Sequence, residues 1–472
     1  MNFPRLRTIM LLILLLAPWH RHADAYSLLT HEQLIDLTWQ DSIVPLLLSR
    51  YPNLTPADLD QARAYAYGGC VIQDIGYYPF GDSSFSDLTH YVRTGDFVVS
   101  LFRNAGNANE LAFAVGALSH YIGDSVGHSD AINLAVPVEF PKLRAEYGPV
   151  VNFAEGQRQH VQTEFAFDID EIAHHRTAPI HYLRHVGLQV PVRQLALAYY
   201  QTYGLNEDFS AHRGRRFNVR AYRFAVREFI PRIAYAVTLL HRGHEPPEPS
   251  TPERVEMNKE VAAIAAINNW QAYRRSAGFG THSLAALIFI LPKIGPLKMT
   301  AVKGPTQATE ADYLHSVVLS EAALRQDLSS FTPPAGKRST LANAISTSAP
   351  ARPLPASSAA GQSPQPARDP LHPLPNLDLD TGRAVQPGGY SLTDSTYAEL
   401  LHRIALQPAQ PIPPGVKSDI LAYYANPNAP IATKKDPAKW AQVQADLITL
   451  AAMPTSTEPA PYPTYDDGGA SQ

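Results

Sequence analysis

The chain has 472 residues, a formal charge of -4 and 45% hydrophobic content. That length allows one large domain or a few smaller ones, and the apolar content is ample for a buried core. The near-neutral balance argues against a polyanion binder, so nucleic acid is not the expected partner. A lone cysteine, Cys70, rules out an intrachain disulfide, and its apolar neighbours mark it as a buried small residue.

The first 25 residues read as a signal peptide. Arg5 and Arg7 give a positive start, Ile9 to Leu16 form an apolar stretch too short to span a bilayer, and Ala23-Asp-Ala25 fits a small-x-small cleavage site. The mature chain is expected to begin at Tyr26 and to be exported, either periplasmic or secreted.

From Tyr26 to about residue 250 the apolar spacing is helical almost throughout. His31 to Ser49 is apolar-periodic. Thr55-Pro56 opens a helix running to about Gly69. Gly76 to Gly81 is a loop by its Gly and Pro content. Ser86 is expected to cap a helix reaching Phe102, and Asn107 to open a long helix. Further helices are expected from Glu155 to His174, Val192 to Tyr203 and Arg215 to His241. No run alternates with period two, so the fold class is all-α, without a sheet.

Pro and Glu residues break the pattern at 243–251, and a helical extension occupies 246–332. Within it, Leu284 to Met299 reads as a core helix and turn, with an interfacial membrane contact as the alternative. Residues 333–370 have the Pro/Ala/Ser composition of a disordered linker. Residues 371–453 regain helical pattern as a small C-terminal segment. The polar, Pro-rich 454–472 is expected to be a disordered tail.

The chemistry concentrates in His120-Tyr-Ile-Gly-Asp124-Ser-Val-Gly-His128. A step of four residues turns a helix through 400°, so His120, Asp124 and His128 form one slanted row on one face. Two imidazoles and a carboxylate in a row are potential metal ligands. Four other places add more. Tyr26, at the expected mature terminus, offers an α-amine and a carbonyl beside His31. Asp74 sits in a tight apolar setting before a Gly turn. His90 comes next. His160 and Glu164 share a helix face at another step of four. The nine positions contain no thiolate, a donor mix that suits zinc and is numerous enough for two or three ions. Clustered zinc with open coordination positions activates water and clamps phosphodiester oxygens. Asp82 and Asp87 read as structural, and His174, His175 and His181 as surface or packing residues.

In this order, the residues resemble the zinc-dependent phospholipase C superfamily, and most of all its phospholipase C/D branch, which includes glycosylphosphatidylinositol-specific phospholipase D. The resemblance covers about Tyr26 to Leu240. It implies an all-helical domain, 26–245, around as many as three zinc ions. By position, Asp74, His90, His120 and Asp124 would hold the first, and His128, His160 and Glu164 the second. Tyr26 and His31 would hold the third, bridged by Asp124. Asp74 would also orient or deprotonate the attacking water. Relatives outside that branch place the second helix histidine six residues after the aspartate. Here that position is Asp130, which stays as the alternative to His128.

The expected function is an exported metal-dependent phosphodiesterase acting on phospholipid head groups, with a membrane surface as a possible partner. The rivals are a single-strand nuclease of the same superfamily and a non-catalytic metal-binding envelope protein.

Overall fold

We describe a computed structural model, which covers residues 28–78, 81–207, 209, 219–241, 250–292, 300–331 and 373–456. The expected signal peptide, Tyr26 and the expected 333–370 linker lie outside these residues.

The helices begin where local chemistry supplies the unsatisfied N–H groups with acceptors. α1 spans Leu28–Thr38 and α2 spans Pro56–Gly69. At the start of α2, Thr55 Oγ1 accepts from the Asp58 amide while the Asp58 carboxylate accepts from the Thr55 amide, a reciprocal cap with Pro56 at the first position. α3 is Ser83–Tyr91 and α4 is Thr94–Arg103. The sequence suggests one helix here, beginning at Ser86. Instead Asp82 caps α3 by accepting from the Ser84 amide, and Arg93, at φ 50°, breaks the chain into two helices.

α5, Ala108–Gly127, is the long helix expected after Asn107, whose side chain accepts from the Glu110 amide. It is apolar nearly all round, and almost every residue in it is buried, as a central helix requires. α1, α2, α4 and α11 (Gln307–Phe331) pack around it. The α2–α5 contact is backbone to backbone. A Cβ on Gly116 would stand 2.2 Å from the Ala66 carbonyl oxygen, and one on Gly69 would stand 2.1 Å from that of Phe113.

α6, Phe153–Ala173, opens on an Asn152–Glu155 reciprocal cap. α7 is Val192–Tyr203, as the sequence predicts, and α8 is Ile230–His241. In the extension, α9 is Pro252–Ile267 and α10 is Phe279–Ile290. α10 buries Leu284, Ala285 and Ile288 against α8 but leaves Phe279, Phe289 and Ile290 exposed. The expected core helix is therefore packed on one face and apolar at the surface on the other.

C-terminal to the linker, α12 (Ser391–Ala405) packs on α3 and on α13 (Pro437–Ala452). Before α12, β1 (Leu377–Asp378) and β2 (Arg383–Ala384) form a two-residue antiparallel ladder, a minimal exception to the expected absence of sheet. The expected tail is paired at its start, where the Ser456 amide donates to the Ile412 carbonyl. One contiguous apolar core includes residues from Leu28 to Met453. No helix among the described residues is long and apolar enough to cross a membrane.

Candidate metal centre

His120, Asp124 and His128 hold their row at the C-terminal end of α5, all fully buried. A wide five-residue turn, His128–Ile132, begins at His128 and rotates the residues after it. As a result Asp130, the alternative ligand, is exposed while His128 points inward. The α2–α5 glycine contact brings the C-terminal end of α2 against α5, and His120 Nδ1 there lies 3.0 Å from the Cys70 carbonyl oxygen. Asp74 lies just beyond, in a single tight turn, Gln73–Gly76, held by Gln73 donating to the Ala117 carbonyl. His90 enters from the last turn of α3.

Together these elements gather Asp74, His90, His120 and Asp124 into one group. His90 Nε2 lies 3.2 Å from Asp74 Oδ1 and 3.1 Å from Asp124 Oδ2. His120 Nε2 lies 3.1 Å from Asp124 Oδ2 and 3.4 Å from His90 Nε2. Asp124 faces two ways, because its other oxygen, Oδ1, is 3.2 Å from His31 Nε2. The His31 ring stacks on His120 with centroids 4.3 Å apart.

A second group joins His128, His160 and Glu164. Glu164 Oε1 is 2.8 Å from His160 Nδ1 and 3.6 Å from His128 Nε2. Every predicted ligand from His31 to Glu164 thus falls in one of two buried groups or, for His31, beside the first of them. Tyr26 lies outside the described residues.

The donor atoms suit cations. Buried polar atoms nearly always have hydrogen-bond partners. Yet both carboxylate oxygens of Asp74 and of Asp124, and Nε2 of His128, are buried with no hydrogen bond of good geometry. The outer sides of three rings are anchored: His90 Nδ1 is 2.7 Å from the Ser86 carbonyl oxygen, His120 Nδ1 is 3.0 Å from that of Cys70, and His128 Nδ1 is 2.8 Å from that of Leu379. A carbonyl only accepts, so each Nδ1 carries a proton and Nε2 is the nitrogen that faces the site and would bind a metal.

Electrostatics at the centre set carboxylates against burial. For His90, burial disfavours the charged ring, but the close carboxylates of Asp124 and Asp74 outweigh it and raise the pKa well above its ordinary value. His120 is raised by the same contest. Burial, then the nearby His120, lowers that of His31. Burial and His128 hold that of His160 far down. Burial works against the charged form of Asp124, yet His120 and the other imidazoles around it keep it well below the usual carboxylate range.

A third acidic grouping, Asp170, His174 and Glu310, lies apart from these. The Arg176 guanidinium occupies it, with Nη2 at 2.7 Å from Asp170 and 3.1 Å from Glu310. The Gly76–Gly81 loop is built for packing where it is described: Tyr77 donates to Asp87, and Tyr78 stacks on Tyr222.

Residues 30–205 match the family model of zinc dependent phospholipase C. No curated protein and no solved structure shows a significant match. The family match contains both groups of donors and supports zinc as their metal. Tyr26 precedes it, and residues 219–456 lie beyond it.

Sequence reasoning missed the residues that support the ligands of this region, which matches the model of zinc dependent phospholipase C. Asp168 accepts from the Leu29 and Thr30 amides at 3.0 and 3.2 Å, fixing the α1 N-terminus beside His31. A signal for it existed, since Asp168 continues the step of four from His160 and Glu164. Asn133, Leu379 and Asp380 carry no comparable sequence signal.

Proposed function

We propose that the protein is an exported zinc-dependent phosphodiesterase that hydrolyses phospholipid head groups with a metal-activated water, in the manner of the phospholipase C/D branch. The observation that supports this reading is the buried convergence of imidazoles and carboxylates, with the Asp74 and Asp124 oxygens and His128 Nε2 making no well-formed hydrogen bond, inside a region matching zinc dependent phospholipase C. Zinc bound there would acidify water and neutralise phosphate oxygens.

The chain's own residues divide the remaining work. His90, His120 and His128 present Nε2 inward. Asp124, which faces His31 on one side and His90 and His120 on the other, links His31 to the first group. Asp74 is the assigned base: one oxygen faces His90 and His120, and the carboxylate retains acceptor capacity to orient and deprotonate a water.

An Asp74→Asn variant is expected to lose at least about 100-fold in phosphatidylcholine hydrolysis, within the range typical of general-base loss. The assay compares phosphatidylcholine with single-stranded DNA on the purified full chain. Cleavage of DNA alone would overturn the lipid reading. A parent that binds zinc but cleaves neither substrate would overturn the enzyme reading. Sequencing the N-terminus of the exported protein tests Tyr26 as the mature terminus.

A further inference from the structure

The second group of ligands has support that comes from far along the chain. Leu379 lies between two ligand-bearing elements: its amide donates to the His90 carbonyl at 3.0 Å, and its carbonyl accepts from His128 Nδ1 at 2.8 Å. Asp380 is fully buried beside it. Its Oδ2 accepts from Tyr91 at 3.0 Å and from Tyr390 at 2.6 Å, which ties the segment down on both sides. Its backbone carbonyl accepts from Asn133 Nδ2 at 2.8 Å.

That last bond fixes the Asn133 amide, so that Oδ1 faces His160 Nε2 at 2.9 Å. An amide oxygen only accepts, so His160 carries its proton on Nε2 and turns the Nδ1 lone pair toward Glu164 Oε1 at 2.8 Å. Two acceptors that close require a proton or a cation between them. The two histidines of the second group are thus set in opposite tautomers, His128 through Nδ1–H and His160 through Nε2–H, by consecutive residues of one segment.

We propose that Leu379-Asp380, with Asn133 as relay, is a positioning element that fixes the tautomers of His128 and His160 for metal binding, so that the segment C-terminal to the linker completes the centre of the family-matched region. The proposal rests on the reading of this group as a zinc site. These residues act through the ligands and are not themselves assigned to touch substrate. Removing such an outer partner typically costs 10- to 100-fold in metal affinity.

The test uses the full chain with 15N-labelled histidine. Long-range 1H–15N spectra of the zinc-free and zinc-loaded protein report each ring's tautomer, and chelator competition reports affinity for each equivalent of zinc. The parent is expected to show His128 protonated on Nδ1 and His160 on Nε2. Asn133→Ala should mix the His160 tautomers and weaken one zinc equivalent about 10- to 100-fold, leaving the others unchanged. Asp380→Ala should disturb both rings, and Tyr390→Phe, a milder change in the same anchor, guards against a misfolded Asp380 variant. Parental tautomers and parental zinc affinity in Asn133→Ala and Tyr390→Phe would overturn the proposal. A parent that binds no zinc would overturn the zinc reading itself, while its zinc-free spectra would still decide the tautomer assignment.

Discussion

At the scale of single residues, charge and burial are arranged so that each ionisable group has a defined task. Asp124 is held ionised among imidazoles, whereas Asp87, a short distance away on α3, is pushed the other way. Burial raises its pKa to about 7, against a hydrogen bond from Tyr77 that pulls it down. The sign is set by which state keeps the proton. Below about pH 4 both states are protonated and Asp87 costs nothing. Between there and pH 7 the folded state still holds a proton that the unfolded state has released, so stability is lost as pH rises through that window. Asp87→Asn keeps an acceptor for Tyr77 and removes the titration. From pH 4 to pH 8 its stability relative to the parent should improve by about 1–3 kcal/mol. Denaturant unfolding across this range checks it, and a pH-independent difference would refute the assignment.

At the scale of elements, the centre depends on how closely α2 approaches α5. Gly69 and Gly116 let the two backbones touch, and that contact places the Cys70 carbonyl against His120. Gly116→Ala would drive a methyl group into the Ala66 carbonyl, so it should destabilise the fold by about 2–4 kcal/mol and weaken zinc binding with it. Gly278, with nothing within 4 Å of an added Cβ, is the control and should stay within about 0.5 kcal/mol of the parent when changed to Ala. Urea unfolding of the two variants makes the comparison. Equal losses would mean the close contact carries no weight.

At the scale of the whole molecule, residues from both sides of the linker share one core. Leu374, Leu379, Tyr390, Leu400 and Leu401 belong to the same cluster as the α5 residues Phe113, Ala117 and Leu118. The buried carboxylates and imidazoles at its centre disfavour the metal-free fold. Zinc that binds only the folded chain should therefore stabilise it, by about 2.7 kcal/mol at a free concentration of 100 times Kd. The melting midpoint should fall on chelation and recover on adding zinc. A midpoint indifferent to both would exclude a metal centre linked to folding.

Much of this was legible in sequence because the signals are local. The steps of four that align His120, Asp124 and His128, and His160 with Glu164, are set by helical geometry, and the Thr55 and Asn107 caps by chemistry within four residues. The break at Arg93 escaped because an αL residue there leaves the apolar spacing intact. What the tertiary structure alone decided is which distant groups meet. Leu379 and His128 are 251 residues apart, and their bond uses a backbone carbonyl, which every residue carries and no sequence pattern marks. The sequence by itself determined which side chains could bind a metal. Packing determined which nitrogen of His90, His120, His128 and His160 faces the site, because that depends on the acceptor placed behind each ring.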